Sequence, residues 1–278
     1  MLPFCRENED NAGMKLILNK MKSAIGHPIA YILNSGNEAI LMNDYLQKKI
    51  EINWTGNIFC SKCSKKTKRS FGEGFCYPCF MSAPEASPCI LKPELCQAHL
   101  GIGRDIEFEE KHHNKPHIVY LAATDKVKVG VTRNTQIPTR WIDQGANKAI
   151  ILAETPNRYL AGVTEVALKS FYSDKTNWRS MLRNIEDESI DLIDEKWNCH
   201  DLLPQDLQQY FVEDDEVLEL NYPVYRFPEK ITSINLEKQA SISGTLTGIK
   251  GQYLMFDEQY VFNVRRHTSF EIELKTNG

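Results

Sequence analysis

The sequence predicts a mixed α+β protein, and three observations lead to this class. Short runs of alternating apolar and polar residues occupy both ends of the 278-residue chain and indicate antiparallel strands. Residues 57–117 are rich in Cys, His, Gly and Pro and show little periodicity, so we expect metal ligands rather than a hydrophobic core to hold them. Residues 118–183 mix strand and helix patterns. The prediction is therefore a metal-binding segment and an α/β segment between two β segments.

Residues 1–13 are predicted to form a loose tail. They read MLPFCRENEDNAG and lack the apolar stretch of a signal peptide. No apolar run elsewhere in the chain approaches the roughly eighteen residues that span a bilayer. We therefore expect a cytoplasmic protein that has no membrane partner.

The two terminal β segments are residues 14–56 and 221–278. The first contains the runs KLIL, AYIL and KIEINW, and the second contains TLTGIKGQYLMF, QYVFNVRR and SFEIEL. Because a hairpin-rich segment of about fifty residues rarely folds alone, we expect the two segments to pair into one barrel or sandwich.

Four cysteines with the spacing C-x2-C-x12-C-x2-C predict a zinc ribbon within residues 57–117. They are Cys60, Cys63, Cys76 and Cys79. Two such Cys-x-x-Cys knuckles can direct four thiolates to one tetrahedral Zn²⁺, and four thiolates leave no open coordination position. The predicted zinc is therefore structural.

Basic residues near this motif are candidate contacts for a nucleic-acid backbone. Four of them lie between the two knuckles, and two more follow the last hairpin of the chain: Lys65, Lys66, Lys68 and Arg69, then Arg265 and Arg266. Basic side chains on a rigid loop suit phosphate contacts, and a solvated turn is the alternative interpretation.

A second group of cysteines and histidines predicts a second zinc site. The candidate ligands are Cys89, Cys96, His99 and one of the later histidines, for which His117 is chosen over His112 and His113. Both residue types bind zinc when deprotonated. The alternative is that Cys89 and Cys96 are buried free cysteines, because thiols also pack as small apolar groups.

Residues 118–183 predict a β-hairpin followed by two helices. Pro138 suits the first turn of a helix and Gly145 suits its end, which places Arg140 and Gln144 on one helical face. In the next helix, the predicted buried stripe is Leu160, Val163, Ala167 and Phe171. Glu165 is then expected to lie off the centre of that stripe and to face a cleft.

This segment resembles the GIY-YIG nuclease domain over residues 117–182. Ile118-Val119-Tyr120 corresponds to the first triplet of the family and Lys128-Val129-Gly130 to the second. Arg140 in PTRW corresponds to the helical arginine, and Glu165 in TEVALKSF to the glutamate that binds metal. The layout of the whole chain also resembles an uncharacterised bacterial family with a domain of unknown function, in which zinc-binding cysteines precede such a segment.

The resemblance implies a metal-dependent phosphodiesterase site. It assigns Mg²⁺ or Mn²⁺ to Glu165, contact with phosphate oxygens to Arg140, and orientation or deprotonation of the attacking water to Tyr120. Lys128 stands where the family commonly has its second tyrosine, and Gln144 where many members have histidine or tyrosine. As alternatives, Tyr120 is an ordinary strand aromatic and Glu165 a solvent-facing helical residue.

Residues 184–220 form an acidic segment in which helices are predicted. The segment contains 13 acidic residues and one lysine, Lys196, a balance of −12 that leaves +8 for the rest of a chain whose net charge is −4. A polyanionic partner is therefore compatible with the remainder of the chain. The acidic segment itself is either a solvated helical face or linker, or a surface for a protein partner.

Three functions follow from these features. The first is a zinc-containing endonuclease that cuts DNA or RNA with the help of Mg²⁺ or Mn²⁺. The second is a module with a degenerate nuclease fold that binds nucleic acid without cutting it. The third is a protein–protein scaffold that uses the acidic segment.

Overall fold

The computed structural model describes residues 13–35, 38–172 and 177–276. These residues divide into two compact units. The first unit takes its residues from Met1–Lys22, Ala30–Cys76 and Pro223–Gly278, and the second takes its residues from Ser23–Ile29 and Tyr77–Tyr222. The predicted tail, residues 1–13, lies outside the described part of the chain except for Gly13. The mixture of helices and antiparallel sheets confirms the predicted α+β class.

The first unit is built on antiparallel strands from both ends of the chain. Its strands before the cysteines are β1 (Met14–Ile17), β3 (Ala30–Ser35), β4 (Glu38–Leu41) and β5 (Lys49–Ile58), and β2 (Lys22–Ala24) begins at its boundary. Its later strands are β10 (Thr232–Ile234), β11 (Ser241–Lys250), β12 (Tyr253–Phe256), β13 (Tyr260–Asn263) and β14 (Phe270–Thr276).

The terminal segments pair as expected. A seven-stranded sheet has the order β1-β14-β5-β11-β12-β13-β10, so that β5 lies between two strands of the C-terminal segment. Met14 is opposite Leu274, and Asn53 is opposite Ser241. The pairing is confirmed, but closure into a barrel is not seen, since none of the sheets closes among the described residues. The two edge strands, β1 and β10, stand at opposite ends of the strand order.

The second unit contains a four-stranded sheet and all the α-helices of the described residues. Its strands are β6 (His117–Ala123), β7 (Val127–Arg133), β8 (Lys148–Thr155) and β9 (Val217–Glu219), in the order β7-β6-β8-β9. Its helices are α1 (Tyr77–Ser82), α2 (Ile106–His112), α3 (Thr139–Asp143), α4 (Arg158–Leu168), α5 (Trp178–Leu182), α6 (Leu192–Leu202) and α7 (Gln205–Gln208). No helix in the described ranges is long and apolar enough to cross a membrane.

One face of this sheet forms the core of the second unit. Alternate residues of β6 and β7, such as Val119, Leu121 and Val129, are buried against Ala161 and Leu168 of α4. The opposite face of the hairpin carries Tyr120 and Gly130, because side chains alternate along a strand. The hairpin thus separates a hydrophobic core from a face that is available to a site.

The buried side of α4 differs from the prediction. Phe171 lies beyond the helix and is 58% exposed, whereas Ala161, Thr164 and Leu168 are buried. The predicted stripe was therefore wrong by about one position along the helix. Phe171 does not continue the helical face, because α4 ends at Leu168 and Phe171 lies in the turn that follows.

The acidic segment packs on the second unit rather than forming a detached linker. The core cluster of the sheet includes Leu192 and Cys199 of α6 and Leu203, the residue that follows this helix. Lys196 is fully buried, and its Nζ donates to the carbonyl of Asp214 and to Oδ1 of Asp215 at 3.0 Å. The lysine therefore joins α6 to the acidic turn that precedes β9.

Candidate functional site

The four predicted zinc cysteines lie close together. One sulfur from each of Cys60, Cys63, Cys76 and Cys79 lies within 4.8 Å of the others. Positive φ angles at Gly72 (56°) and Gly74 (94°) turn the chain into the second knuckle, a conformation that glycine adopts without strain. The group is compatible with a zinc site of four thiolates.

The environment of Cys60 favours its thiolate form. Burial by itself would raise the pKa of the Cys60 thiol, but hydrogen bonds from the backbone N–H groups of Cys63, Cys76 and Lys62 lower this pKa to about 6. Backbone donors that converge on one sulfur stabilise negative charge before any side-chain cation contributes. Thiolates are the form in which cysteine binds metal.

The basic residues beside this cluster differ in their availability. Lys65, Lys66, Lys68 and Arg69 are all exposed in the loop between the knuckles. Arg266 is also exposed, whereas Arg265 forms an ion pair with Glu73 of the second knuckle. The loop therefore presents an exposed basic surface, while the charge of Arg265 is partly neutralised within the fold.

Tyr120 lies at the centre of a second group of polar residues, in the segment predicted to resemble a nuclease. Its hydroxyl is buried and donates to Oε1 of Gln144 at 2.9 Å. Burial raises the pKa of the Tyr120 phenol, although the neighbouring Arg140 guanidinium opposes the shift. Arg140 and Gln144 thus lie on one face of α3 and its C-terminal end, as expected, and both face Tyr120.

Steric contact with Tyr120 explains why the second triplet ends in a glycine, Gly130. Tyr120 is directly opposite Gly130 in the hairpin, and a Cβ at position 130 would lie 2.5 Å from the tyrosine hydroxyl. The ring therefore lies across the backbone of β7 in space that any other residue would fill. On its other side β6 pairs with β8 through a register shift between Val119 and Tyr120, an irregularity of the kind that often re-aims side chains at sites.

Glu165 is a largely buried carboxylate on α4. Its side chain is 14% exposed, and Oε2 lies 3.9 Å from Nζ of Lys169. Burial raises the pKa of Glu165; Lys169 opposes the shift, and the charge of Glu94 adds to it. Lys128 is close enough to lower the same pKa, so the two residues lie in one electrostatic environment.

Glu94 is a second carboxylate that the sequence interpretation did not include. Its Oε2 is buried and has no hydrogen-bond partner among the described residues. The 3₁₀ turn Pro93–Leu95 brings it to α4, where Gly162 allows the backbone of Glu94 to approach. No local pattern in the sequence marks this residue, because its position depends on a contact between distant segments.

A separate cluster of four donors lies around Cys89 and Cys96. One ligand atom from each member lies within 4.8 Å of the others, and all four residues are buried: Cys89, Cys96, Glu109 and His113. Two of the expected ligands lie elsewhere. His99 is exposed and stacks on Tyr159, and Nδ1 of His117 contacts the carbonyl of Lys115.

A family model that describes proteins of unknown function, DUF2797, matches residues 47–272. The chain belongs to this family. The matched range includes both cysteine groups and the whole segment from Tyr120 to Glu165. No curated protein and no solved structure matches the chain. The expected resemblance to an uncharacterised family is confirmed, and the family description states no activity.

The sequence does contain a pattern that pairs Glu109 with His113, the two members of the second cluster that were not among the chosen ligands. His113 is four positions after Glu109 in the sequence, a spacing that places both side chains on one face of a helix. Asp105 accepts a hydrogen bond from the N–H of Phe108 at 3.0 Å and begins that helix, α2. The pair is therefore predictable as a unit, whereas its meeting with Cys89 and Cys96 is not.

Proposed function

We propose that this protein binds nucleic acid and hydrolyses phosphodiester bonds with a GIY-YIG-like site, with structural zinc held by the four cysteines of the knuckles. The observation that carries the proposal is that Arg140 and Glu165 are both neighbours of Tyr120. Both Arg140 and Glu165 lie close enough to affect the ionisation of Tyr120. Arg140 of α3 and Glu165 of α4, which are far apart in sequence, thus both lie near the Tyr120 phenol.

The carboxylates of this site fit a hard divalent cation. Glu165 and Glu94 lie close enough that the charge of Glu94 raises the pKa of Glu165, and Oε2 of Glu94 is buried without a hydrogen-bond partner among the described residues. Carboxylate oxygens are preferred ligands of Mg²⁺ and Mn²⁺. A bound Mg²⁺ or Mn²⁺ would neutralise negative charge near the leaving oxygen.

The other residues of the site bind and orient the substrate. Arg140 can donate two hydrogen bonds to phosphate oxygens and stabilise the charge that builds on them. Because burial raises the pKa of Tyr120, its phenol keeps its proton at neutral pH and acts as a donor that orients a neighbouring group. Lys128, on the same face of the hairpin, adds a positive charge beside Glu165.

A second candidate is a nucleic-acid-binding module that does not cut. The hydrogen bond between Tyr120 and Gln144 favours it, because this bond occupies the tyrosine proton and an amide cannot accept a proton from water. In this candidate the exposed loop of Lys65, Lys66, Lys68 and Arg69 contacts the phosphate backbone in the same way.

A cleavage assay separates the two candidates. The full chain is incubated with Mg²⁺ or Mn²⁺ and with single-stranded, duplex and structured DNA and RNA. We expect Glu165→Gln and Arg140→Ala each to lower the rate by about a hundredfold or more, the scale of losing a charge that stabilises the transition state. Glu154→Gln is the matched control, because Glu154 is an exposed carboxylate on β8. Activity that survives both site variants would contradict the proposed site.

Binding is tested separately by its dependence on salt. Contacts with phosphates release counterions, so the affinity should fall steeply as salt increases. Neutralising Lys65, Lys66, Lys68 and Arg69 together should reduce the slope of log affinity against log salt concentration. The reduction should correspond to the loss of up to about four phosphate contacts. Tight binding without cleavage of any substrate would favour the non-catalytic candidate. If neither DNA nor RNA binds at low salt, both candidates fail.

A further inference from the structure

Four side chains of metal-ligating type converge in a buried position within the second unit. Cys89, Cys96, Glu109 and His113 are 8%, 2%, 3% and 2% exposed, and their donor atoms lie within 4.8 Å of one another. Cys89 Sγ is 3.9 Å from Nδ1 of His113, and Oε2 of Glu109 contacts the same nitrogen. Two sulfurs, one imidazole and one carboxylate form a ligand set that zinc accepts.

Separate elements bring these ligands together. Cys89 lies in the 3₁₀ turn Pro88–Ile90, and Cys96 follows the turn Pro93–Leu95. Glu109 lies in α2, and His113 is the residue that follows this helix, one turn further along the same face. The turns and the helix have few core residues of their own: a small satellite cluster of Cys89, Cys96 and Ala98 lies there, and the half-buried Tyr159 packs against it.

The charges of the group call for a cation. When both cysteines are deprotonated for metal binding, two thiolates and a carboxylate carry three negative charges, and such buried charges require a compensating cation. Arg158 supplies one positive charge next to the group, and its Nε donates to the carbonyl of Cys89 at 2.9 Å. A divalent cation together with Arg158 would neutralise the whole set.

We propose that Cys89, Cys96, Glu109 and His113 bind a second zinc ion, independently of the four cysteines of the knuckles. Zinc fits this set because it accepts sulfur, imidazole and carboxylate ligands in tetrahedral geometry. Cys89 and Glu109 also line a cavity of about 410 Å³ that provides an entry path for the ion.

The second zinc would fasten residues 88–96 to the start of α4. Nη2 of Arg158, the first residue of α4, donates to the carbonyl of Ile90 at 3.0 Å, and the backbone N–H of Arg158 donates to the carbonyl of His113 at 2.9 Å. Further along α4, Gly162 contacts the backbone of Glu94. The ion therefore holds in place the helix that carries Glu165, without taking part in any reaction there.

Zinc content per chain is the direct test. The full chain is produced with added zinc, dialysed, and measured by elemental analysis, and we expect two zinc ions per chain. Cys96→Ser and Cys76→Ser should each lower the content to one, and the double variant should lower it to none. A wild-type content of one, or a Cys96→Ser variant that keeps two, would overturn the proposal.

A second measurement covers the case in which a cysteine variant does not fold. Wild-type protein loaded with Co²⁺ should show thiolate-to-cobalt charge-transfer absorption bands whose intensity corresponds to six sulfurs. The Glu109→Gln variant keeps all six of these cysteines, so its spectrum should show the same bands. We expect one of the two sites of this variant to bind zinc at least about tenfold more weakly than in the wild type. Competition with a chelator measures this affinity. His99→Ala is the matched control and should keep two zinc ions. Cobalt bands that correspond to only four sulfurs in the wild type would contradict the second site.

Discussion

Gly162→Ala tests whether the turn Pro93–Leu95 packs on α4 as closely as the structure indicates. An alanine Cβ at position 162 would lie 2.2 Å from the backbone nitrogen of Glu94 and 2.4 Å from the carbonyl carbon of Pro93. Atoms in normal van der Waals contact are about 3.5 Å apart, so the two segments must separate by roughly 1 Å. Because the opposing atoms belong to the backbone, no rotamer change can relieve the clash.

Two opposing effects set the size of the change in stability. Overpacking costs about 1–3 kcal/mol, and we expect the upper part of this range for contact with backbone. Replacing glycine by alanine inside a helix favours folding by about 1 kcal/mol. The expected net loss is therefore about 1–2 kcal/mol, which lowers the melting temperature of a unit of this size by about 2–8 °C.

Thermal and urea unfolding, followed by circular dichroism, measure this effect. Val166→Ala is a suitable control on the same helix, because Val166 is 43% exposed and its truncation should change the stability by no more than about 0.5 kcal/mol. If Gly162→Ala leaves the melting temperature unchanged or raises it, no clash opposes the gain in helix propensity. In that case Pro93 and Glu94 do not contact α4, and the inferred position of Glu94 beside Glu165 is wrong.

Three other predictions concern the second unit. Gly130→Ala places a Cβ 2.5 Å from the hydroxyl of Tyr120, so urea unfolding should show a loss of about 1–3 kcal/mol. An unchanged midpoint would mean that the ring does not cross the strand. Lys196→Met removes the hydrogen bonds to Oδ1 of Asp215 and to the carbonyl of Asp214, and the same assay should show a loss of about 1–3 kcal/mol. Burial lowers the pKa of His117 from 6.5 to about 4, so stability is full above pH 6.5 and falls by about 2 kcal/mol between pH 6.5 and 5 as the unfolded chain takes up the proton. Urea midpoints across this range should show a smaller fall in His117→Gln, and an equal fall in both proteins would refute the assignment.

Local chemistry made part of the candidate site predictable. The two Cys-x-x-Cys pairs place thiols within a few residues of each other, so their meeting at one point needs only a short hairpin. In the same way Pro138 and Gly145 bound a short helix, which put Arg140 and Gln144 on one face before any tertiary contact was known. Features of this kind depend on spacing and backbone preference, which the sequence states directly.

The pairing of the terminal segments was predictable for a different reason. Their alternating patterns each left one apolar face, and a small sheet needs further strands to bury it. The order of the strands, and the fact that no sheet closes among the described residues, depended on register and twist that the alternation leaves open. Sequence periodicity therefore determined which segments pair but not the shape of the sheet.

Only the tertiary structure decided which side chains lie beside Cys89 and Cys96, and which carboxylate lies beside Glu165. Glu109 and His113 displaced His99 and His117 as neighbours of Cys89 and Cys96, because α2 brings its buried face to the two turns. Likewise Glu94 reaches Glu165 only because Gly162 leaves room for the backbone. A ligand set is chosen by the distance between side chains on separate elements, and this distance is set by packing rather than by separation along the chain.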